Sequence, residues 1–195
     1  KVAGPVTEKQ AKLLVIIEKD AKRQLRLIND LLELSRMRAG MLALQVEPWD
    51  LGGLAREAVE SLNLMALRKG LQLKLEIEYV PDPFLIDGNR IYQVLTNLIS
   101  NALKFTTSGG KVTVSIRERS IDEMQVSVAD TGVGISKEDQ QRIFDRFYQL
   151  ETLPSGKVEG SGLGLSIARH IIMAHGGKIW VESEPQLGST FSFTL

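Results

Sequence analysis

There is no cysteine among the 195 residues. Disulfides, zinc–thiolate sites and thiol chemistry are excluded, and a reducing compartment is consistent with that lack. Histidine is scarce: His170 and His175 are the two, too few for an imidazole metal cage. Net charge is lacking as well, since 24 Lys and Arg balance 24 Asp and Glu. No overall field draws the chain to nucleic acid or to an anionic membrane, so any anion must be held by a local device. Long apolar runs are missing; residues 13–17, LLVII, fall far short of the roughly 20 that a membrane span requires. No signal peptide is visible, so the expected location is cytoplasmic. A start at Lys1 rather than Met reads as a fragment, whose parent is free to carry a membrane anchor.

What is present is ordinary for a folded chain: 43% hydrophobic and 25% charged residues, in a length that fits one domain plus an appendage. From residue 7 to about 38 there is no Gly or Pro, and Leu14, Ile17, Ala21, Leu25, Ile28 and Leu32 recur every three or four positions. That spacing predicts a long amphipathic helix, N-capped by Thr7 and stopped by Gly40. Leu13, Ile16, Leu27, Leu31 and Leu34 widen its stripe, which asks for more than one partner helix, as in a four-helix bundle. A helix lying on its own domain is the alternative.

Beyond it, residues 40–49 predict a brief strand, and Asp50 caps a helix ending near Lys69 and Gly70. Residues 71–79 alternate as a half-buried strand, Pro81 and Pro83 break it, 84–86 form a short strand, and Asp87 opens another helix. Residues 108–110 turn, 111–119 and 124–129 alternate, 163–174 form a helix closed by Gly176 and Gly177, and 178–182 and 189–194 are strands. The order implies an α+β sandwich with helices covering one sheet face.

Three stretches carry chemistry. In NLISNALKFT, residues 97–106, Asn97, Asn101 and Lys104 stand at i, i+4 and i+7, on one helical face. Val94, Leu95, Leu98, Ile99 and Ala102 fall on the other sides, so the polar groups need partners, either neighbouring loops or a ligand. In DTGVGIS, residues 130–136, Gly132 and Gly134 allow backbone to approach a ligand closely. The Asp130 carboxylate suits an exocyclic amine such as that of adenine. In GSGLGLSIAR, residues 160–169, a glycine loop runs into a helix N-terminus, an anion site for a di- or triphosphate. Taken singly, a hairpin or a helix cap also accounts for each loop.

The dinucleotide fingerprint, the P-loop and the protein-kinase motifs are all absent. Together with IFDRFYQ, residues 143–149, and the closing GST, residues 188–190, the three stretches follow in order the N, G1, F, G2 and G3 boxes. The chain thus resembles the sensor histidine kinases over residues 45–195. Residues 26–40, RLINDLLELSRMRAG, followed by EPWDL, are similar to the second helix of that family's dimerisation hairpin.

The resemblance implies a two-layer Bergerat ATP-binding fold with a mixed sheet over residues 43–195, and a partial hairpin over residues 1–42. It implies ATP and Mg²⁺ as cofactors: Asn101 ligating Mg²⁺, Asn97 and Lys104 as catalytic phosphate contacts, and Asp130 on the adenine amine. Phe105, Gly134, Ile135 and Thr190 would shape the adenine pocket with Gly132 nearby. Gly160, Ser161, Gly162, Leu163, Gly164 and Leu165 would wrap the phosphates. Tyr148 of the F box counts with the nucleotide-binding set. Residues 149–159, with Pro154, Ser155 and Gly156, would be a mobile lid. Gln149 departs from the basic residue often found there, and Arg146 or Lys157 is the substitute contact for the γ-phosphate.

In sibling Bergerat ATPases such as gyrase B, the position of Asn97 is a glutamate that activates water. An amide cannot accept that proton, which implies slow hydrolysis and a γ-phosphate kept for another nucleophile. In the family that nucleophile is a histidine in a motif of the form S-H-E-L-R-T-P, which is absent here. His170, inside a helix, and His175, at a helix C-terminus where it would favour the dipole, read as structural. The expected function is therefore the ATP-binding catalytic domain of a sensor histidine kinase, its acceptor supplied elsewhere in the parent. Implied partners are the parent's hairpin, a response-regulator receiver domain, and a second copy through the helical arm; nucleic acid is not among them. The alternatives are a nucleotide-gated interaction module and a Bergerat-type ATPase.

Overall fold

The computed structural model describes residues 4, 6–38, 43–78, 80, 83–120, 123–150 and 161–195; the side chains of residues 23, 26 and 36–38 fall outside the description. The chain divides into two units, Lys1–Met41 and Leu42–Leu195.

Among the described residues of the first unit there is one helix, α1 (Glu8–Arg38). It opens on a reciprocal capping box: Gln10 donates its N–H to Thr7 Oγ1 over 3.3 Å, and Thr7 donates its N–H to Gln10 Oε1 over 2.9 Å. Thr7 is thus the expected cap, whereas Gly40, the expected stop, lies outside the described residues. Leu13, Leu14, Ile17, Leu25, Ile28 and Leu32 are all more than half exposed.

The second unit begins with β1 (Glu47–Trp49), a shorter strand than residues 40–49 suggest, followed by α2 (Leu51–Arg68), β2 (Gln72–Ile77), β3 (Phe84–Ile86) and α3 (Gly88–Phe105). Then come β4 (Lys111–Ser120), β5 (Glu123–Asp130), α4 (Lys137–Gln140), α5 (Gly164–Ala174), β6 (Ile179–Glu184) and β7 (Gly188–Thr194). Asp50 caps α2 by accepting the Gly53 N–H over 2.7 Å. The four-residue α4 is too short to leave a periodic signal; Ser136 caps it by accepting the Asp139 N–H.

Strands order as β2-β4-β5-β7-β6, with β1 and β3 a separate antiparallel pair. β2 and β4 run parallel and the rest antiparallel. The parallel pair follows from α3, which carries the chain from one end of the sheet back to the other. Val112, Val114, Ile116, Val126, Val128 and Phe193 form the helix-facing side and are fully buried. The opposite face carries Thr113, Ser115, Ser127 and Ser192, by the alternation of the same strands. α3 packs between α2 and α5 over the sheet, giving the two-layer mixed-sheet sandwich expected. No helix among the described residues is long and apolar enough to cross a membrane.

Candidate functional site

α3 presents the first functional surface. Asp87 caps its start, with Oδ1 accepting the Arg90 N–H over 3.1 Å and Oδ2 accepting the Gln45 N–H over 3.0 Å. The Asp87 N–H in turn donates to His175 Nε2 over 3.0 Å, while His175 Nδ1 meets the Ile171 carbonyl at 2.8 Å. An Nε2 that accepts carries no proton, so His175 is a neutral bridge with its proton on Nδ1. That corrects the expected role: the ring is structural, but it ties α5 to the cap of α3 by hydrogen bonds and brings no charge to the dipole. His170 is likewise tied to its own helix, through the Ser166 carbonyl.

Within α3, Val94, Leu95, Leu98, Ile99 and Ala102 are at most 3% exposed. Asn97, Asn101 and Lys104 are half-buried on the remaining face. The Asn101 amide donates from Nδ2 to Asn97 Oδ1 over a long 3.4 Å. Asn101 Oδ1, a hard oxygen, is not used in that bond. Lys104 Nζ stands 5.0 Å from the centroid of the Phe105 ring.

The second surface is the start of α5, and it meets the first. A methyl group at Gly164 would overlap Asn97 Oδ1, so the Asn97 amide sits directly against the first residue of α5 and would have to turn aside for any larger residue. Leu163, buried, occupies the N-cap position and makes no side-chain cap. The first-turn N–H groups are therefore not taken by a local side chain, the arrangement that suits an anion. Leu163 N–H reaches back to Ser161 Oγ at 3.2 Å, and Ser161, Gly162 and Leu165 are half-buried. Gly160 and the lid residues 151–159 lie outside the described residues, as does Lys157.

The F box is tied to this loop, since Phe147, with a positive φ of 61°, donates its N–H to the Gly162 carbonyl over 2.9 Å. Phe144 packs edge-on against Phe191, with centroids 6.3 Å apart. Arg146 is half-buried and Gln149 exposed. Tyr148 points its hydroxyl at Asp139, and Arg142 lies 4.4 Å from the Tyr148 ring. The hydrogen bonds from Tyr148 and then Ser136 hold the Asp139 carboxyl below the usual aspartate range. The Tyr148 hydroxyl thus joins the F box to α4.

The third surface surrounds Asp130, at the end of β5 and 9% exposed. Burial pushes its carboxyl above the ordinary range, partly offset by the backbone N–H groups of Gly132 and Ser189. Gly132 donates to Oδ1 over 2.8 Å, and a methyl there would lie 2.6 Å from the Phe105 carbonyl oxygen. The Asp130 loop is thereby seated on the end of α3. Gly134 lies against the Glu184 carbonyl. Buried Ile135 donates its N–H to Ser183 Oγ over 2.8 Å.

Thr190 does not join Asp130. It pairs with Ala129, whereas Ser189 pairs with Asp130, so strand alternation turns Thr190 to the opposite sheet face and sets buried Ser189 beside the carboxylate. Ser183 and Gln140 are further members that sequence reasoning missed. Ser183 Oγ contacts Gly188 O at 2.8 Å and Ser189 Oγ at 3.0 Å, and Gln140 Nε2 donates to the carbonyls of Ile135 and Ser183, each over 2.8 Å. A lone polar residue in an alternating strand gives no signal of such a hub.

Comparison with known proteins places these surfaces in a family. Residues 86–195 match the model of the histidine kinase-, DNA gyrase B-, and HSP90-like ATPases. The chain is 41% identical over 193 residues to the adaptive-response sensory kinase SasA of Crocosphaera subtropica, covering 97% of this chain and 50% of that protein. The chain thus spans half the length of that relative. Full-length ShkA, crystallised in complex with AMPPNP, superposes with a TM-score of 0.86 at 30% identity over 98% of this chain and 39% of ShkA. The catalytic domain of histidine kinase ThkA gives 0.68 at 31% identity, over 78% of this chain and 95% of that one. ThkA in complex with the response regulator TrrA gives 0.74 at 27% identity, over 100% of this chain and 52% of that chain. With the N box on α3, the G1 box at the end of β5, the F box after α4, the G2 box at the start of α5 and the G3 box on β7, the chain belongs to the histidine kinase-, DNA gyrase B-, and HSP90-like ATPase family, as the ATP-binding catalytic domain of a sensor histidine kinase.

Proposed function

We propose that this chain binds Mg-ATP between α3 and the start of α5 and directs the γ-phosphate to a histidine on the dimerisation hairpin of its parent kinase. The observation that carries this reading is the seating of Asn97 on Gly164, which brings the amide face of one helix onto the uncapped N-terminus of another.

The residues fit the group. Among the described residues no cluster of His, Cys, Asp or Glu could hold a metal by itself. Mg²⁺ is commonly bound by one or two protein oxygens plus substrate phosphates, which suits Asn101 Oδ1. When bound, Mg²⁺ neutralises charge on the phosphate oxygens. Asn97 and Lys104 contact the phosphates, the loop from Ser161 to Leu165 offers backbone N–H groups, and Asp130 accepts the adenine amine with Ser189 beside it. Asn97 offers no base to activate water, so the γ-phosphate is kept for transfer. Residues 8–38 act as the second helix of the hairpin, which pairs with a second copy, and a response-regulator receiver domain takes the phosphoryl group onward. The kinase–regulator complex of ThkA supports that last partner.

The test is titration of a fluorescent ATP analogue with and without Mg²⁺, competed by ATP and GTP, followed by addition of a hairpin bearing the acceptor histidine. Saturable, Mg²⁺-dependent, adenine-preferring binding with transfer to that histidine is expected. Binding without transfer would leave a nucleotide-gated module, and no binding would overturn the reading. Gly164→Ala forces Asn97 aside, and its affinity should fall about tenfold or more, the scale of an overpacking strain.

A further inference from the structure

We propose that Lys69, at the end of α2, is a positioning residue for the nucleotide site, acting through the C-terminus of α3. The inference rests on the ATP-binding reading above and adds to it a residue outside all five boxes.

The last carbonyls of an α-helix have no partner within it, and they form the negative pole of its dipole. At the end of α3 they meet a cation from the neighbouring helix. Lys69 Nζ donates to the carbonyl of Leu103 at 2.6 Å, of Lys104 at 3.0 Å and of Thr106 at 3.5 Å. One ammonium has three N–H groups, and here each has a carbonyl within reach. The backbone of Lys69 is fixed in turn. Its N–H bonds to Met65 and Ala66, Gly70 O accepts the Gly109 N–H over 2.9 Å, and Gln72 N–H donates to Gly110 O over 3.0 Å. The end of α2 and the turn after α3 are therefore knitted together, with the ammonium at the centre.

What that ammonium holds is the part of α3 nearest the site. Its carbonyl partners flank Phe105, and Phe105 is the residue whose backbone Gly132 rests on. Gly132 then supplies the N–H that meets the Asp130 carboxylate. The chain of contacts runs from Lys69 to the α3 terminus, to Gly132, to Asp130, while Lys104 projects from the same terminus. A helix end left to fray would move the adenine acceptor and the phosphate cation together.

The test uses the full chain with Lys69→Met, which keeps the length of the side chain but removes donors and charge, and Lys69→Arg, which restores both. In nucleotide-free protein, amide exchange at Thr106, bonded to Ala102 O, and at Gly132 should quicken in Lys69→Met and return to the parent rate in Lys69→Arg. At a temperature where every variant is folded, Lys69→Met should bind the ATP analogue about tenfold more weakly, the equivalent of one charge-assisted hydrogen bond, and Lys69→Arg should recover it to within about twofold. If Lys69→Met does not fold, Lys69→Gln, neutral but still a donor, is measured in the same way. Unchanged affinity in folded Lys69→Met or Lys69→Gln overturns the inference, even where the melting temperature falls, because a merely structural lysine acts on stability alone. Should the parent chain bind no nucleotide, the ATP reading fails, and unaltered exchange at Thr106 and Gly132 would overturn the inference separately.

Discussion

α1 and α3 carry the same kind of pattern and meet opposite fates. Both repeat apolar residues every three or four positions. In α1 Leu13, Leu14, Ile17, Leu25, Ile28 and Leu32 stand more than half exposed, with Leu34 the buried exception at 3%, whereas in α3 Leu95 and Ile99 are at 0%. α3 is also anchored at both ends, by Asp87 with His175 at the start and by Lys69 at the finish. α1 opens on a cap made by its own residues and carries an i, i+4 ion pair between Glu18 and Lys22 at the surface. A hydrophobic period establishes that a helix has an apolar face and leaves open what covers it. In α3 the cover belongs to the same unit, and its packing fixes the polar face as a by-product.

The largest effect that separates the two helices should come from truncating one apolar residue in each. Leu95→Ala removes a fully buried side chain and should cost about 3 kcal/mol of the cooperative unfolding transition, in the usual range for a core leucine. Ile28→Ala removes an exposed one and should change that transition by less than about 0.5 kcal/mol. Denaturant titration followed by tryptophan fluorescence reads both, since Trp49 and Trp180 both lie in the second unit. Equal losses would erase the distinction drawn between the helices.

The sequence makes the repetitive parts of this molecule legible. Strand alternation locates β2, β4 and β5, and cap residues place the starts of α1, α2 and α3, because those signals are local. The order of the boxes gave the family and the fold. Contacts that depend on tertiary approach were not legible. His175 at a helix end suggests a charge on a dipole until the Asp87 N–H is found pointing at its Nε2. Ser183 and Gln140 join α4, β6 and β7 through bonds across 43 or more positions of sequence or around a turn. Thr190 was misplaced for a different reason: a strand neighbour one position away faces the other side of the sheet, and which of Ser189 and Thr190 faces Asp130 is decided by register.

A smaller effect distinguishes two carboxylates of the second unit. Asp130 has a raised pKa because it is buried, and Asp139 a lowered one because Tyr148 and Ser136 donate to it. For Asp130 the folded state takes up a proton more readily than the unfolded one. Its contribution to stability is full below the unfolded pKa and is lost as pH rises through the folded value. For Asp139 the contribution is present above the unfolded pKa and is lost as pH falls through the folded value. Acidification should therefore stabilise the parent relative to Asp130→Asn and destabilise it relative to Asp139→Asn. ATP affinity should fall over the same acid range in which Asp130 takes up its proton, because the protonated carboxyl is a poorer acceptor for the adenine amine. Stability measured by denaturant at several pH values, beside nucleotide titrations, tests both signs. An Asp130→Asn difference that rose with pH would contradict the burial argument.

The smallest expected effect returns to the two helix caps. Thr7→Ala breaks the Thr7–Gln10 box at an exposed terminus, and loss of such a cap costs about 1 kcal/mol of local helix stability. That loss should appear as faster amide exchange in the first turns of α1, with no shift in the unfolding of Leu42–Leu195. Asp87 is a different kind of cap, since it is 5% exposed and its two oxygens serve Arg90 and Gln45 while its N–H serves His175. Asp87→Ala takes the acceptor from two part-buried N–H groups, those of Arg90 and Gln45, at about 1 kcal/mol each, so its effect should be about twice as large and should spread to the Asn97 face. If the two substitutions had similar, purely local effects, the anchoring of α3 by its neighbours would not be what orders that face.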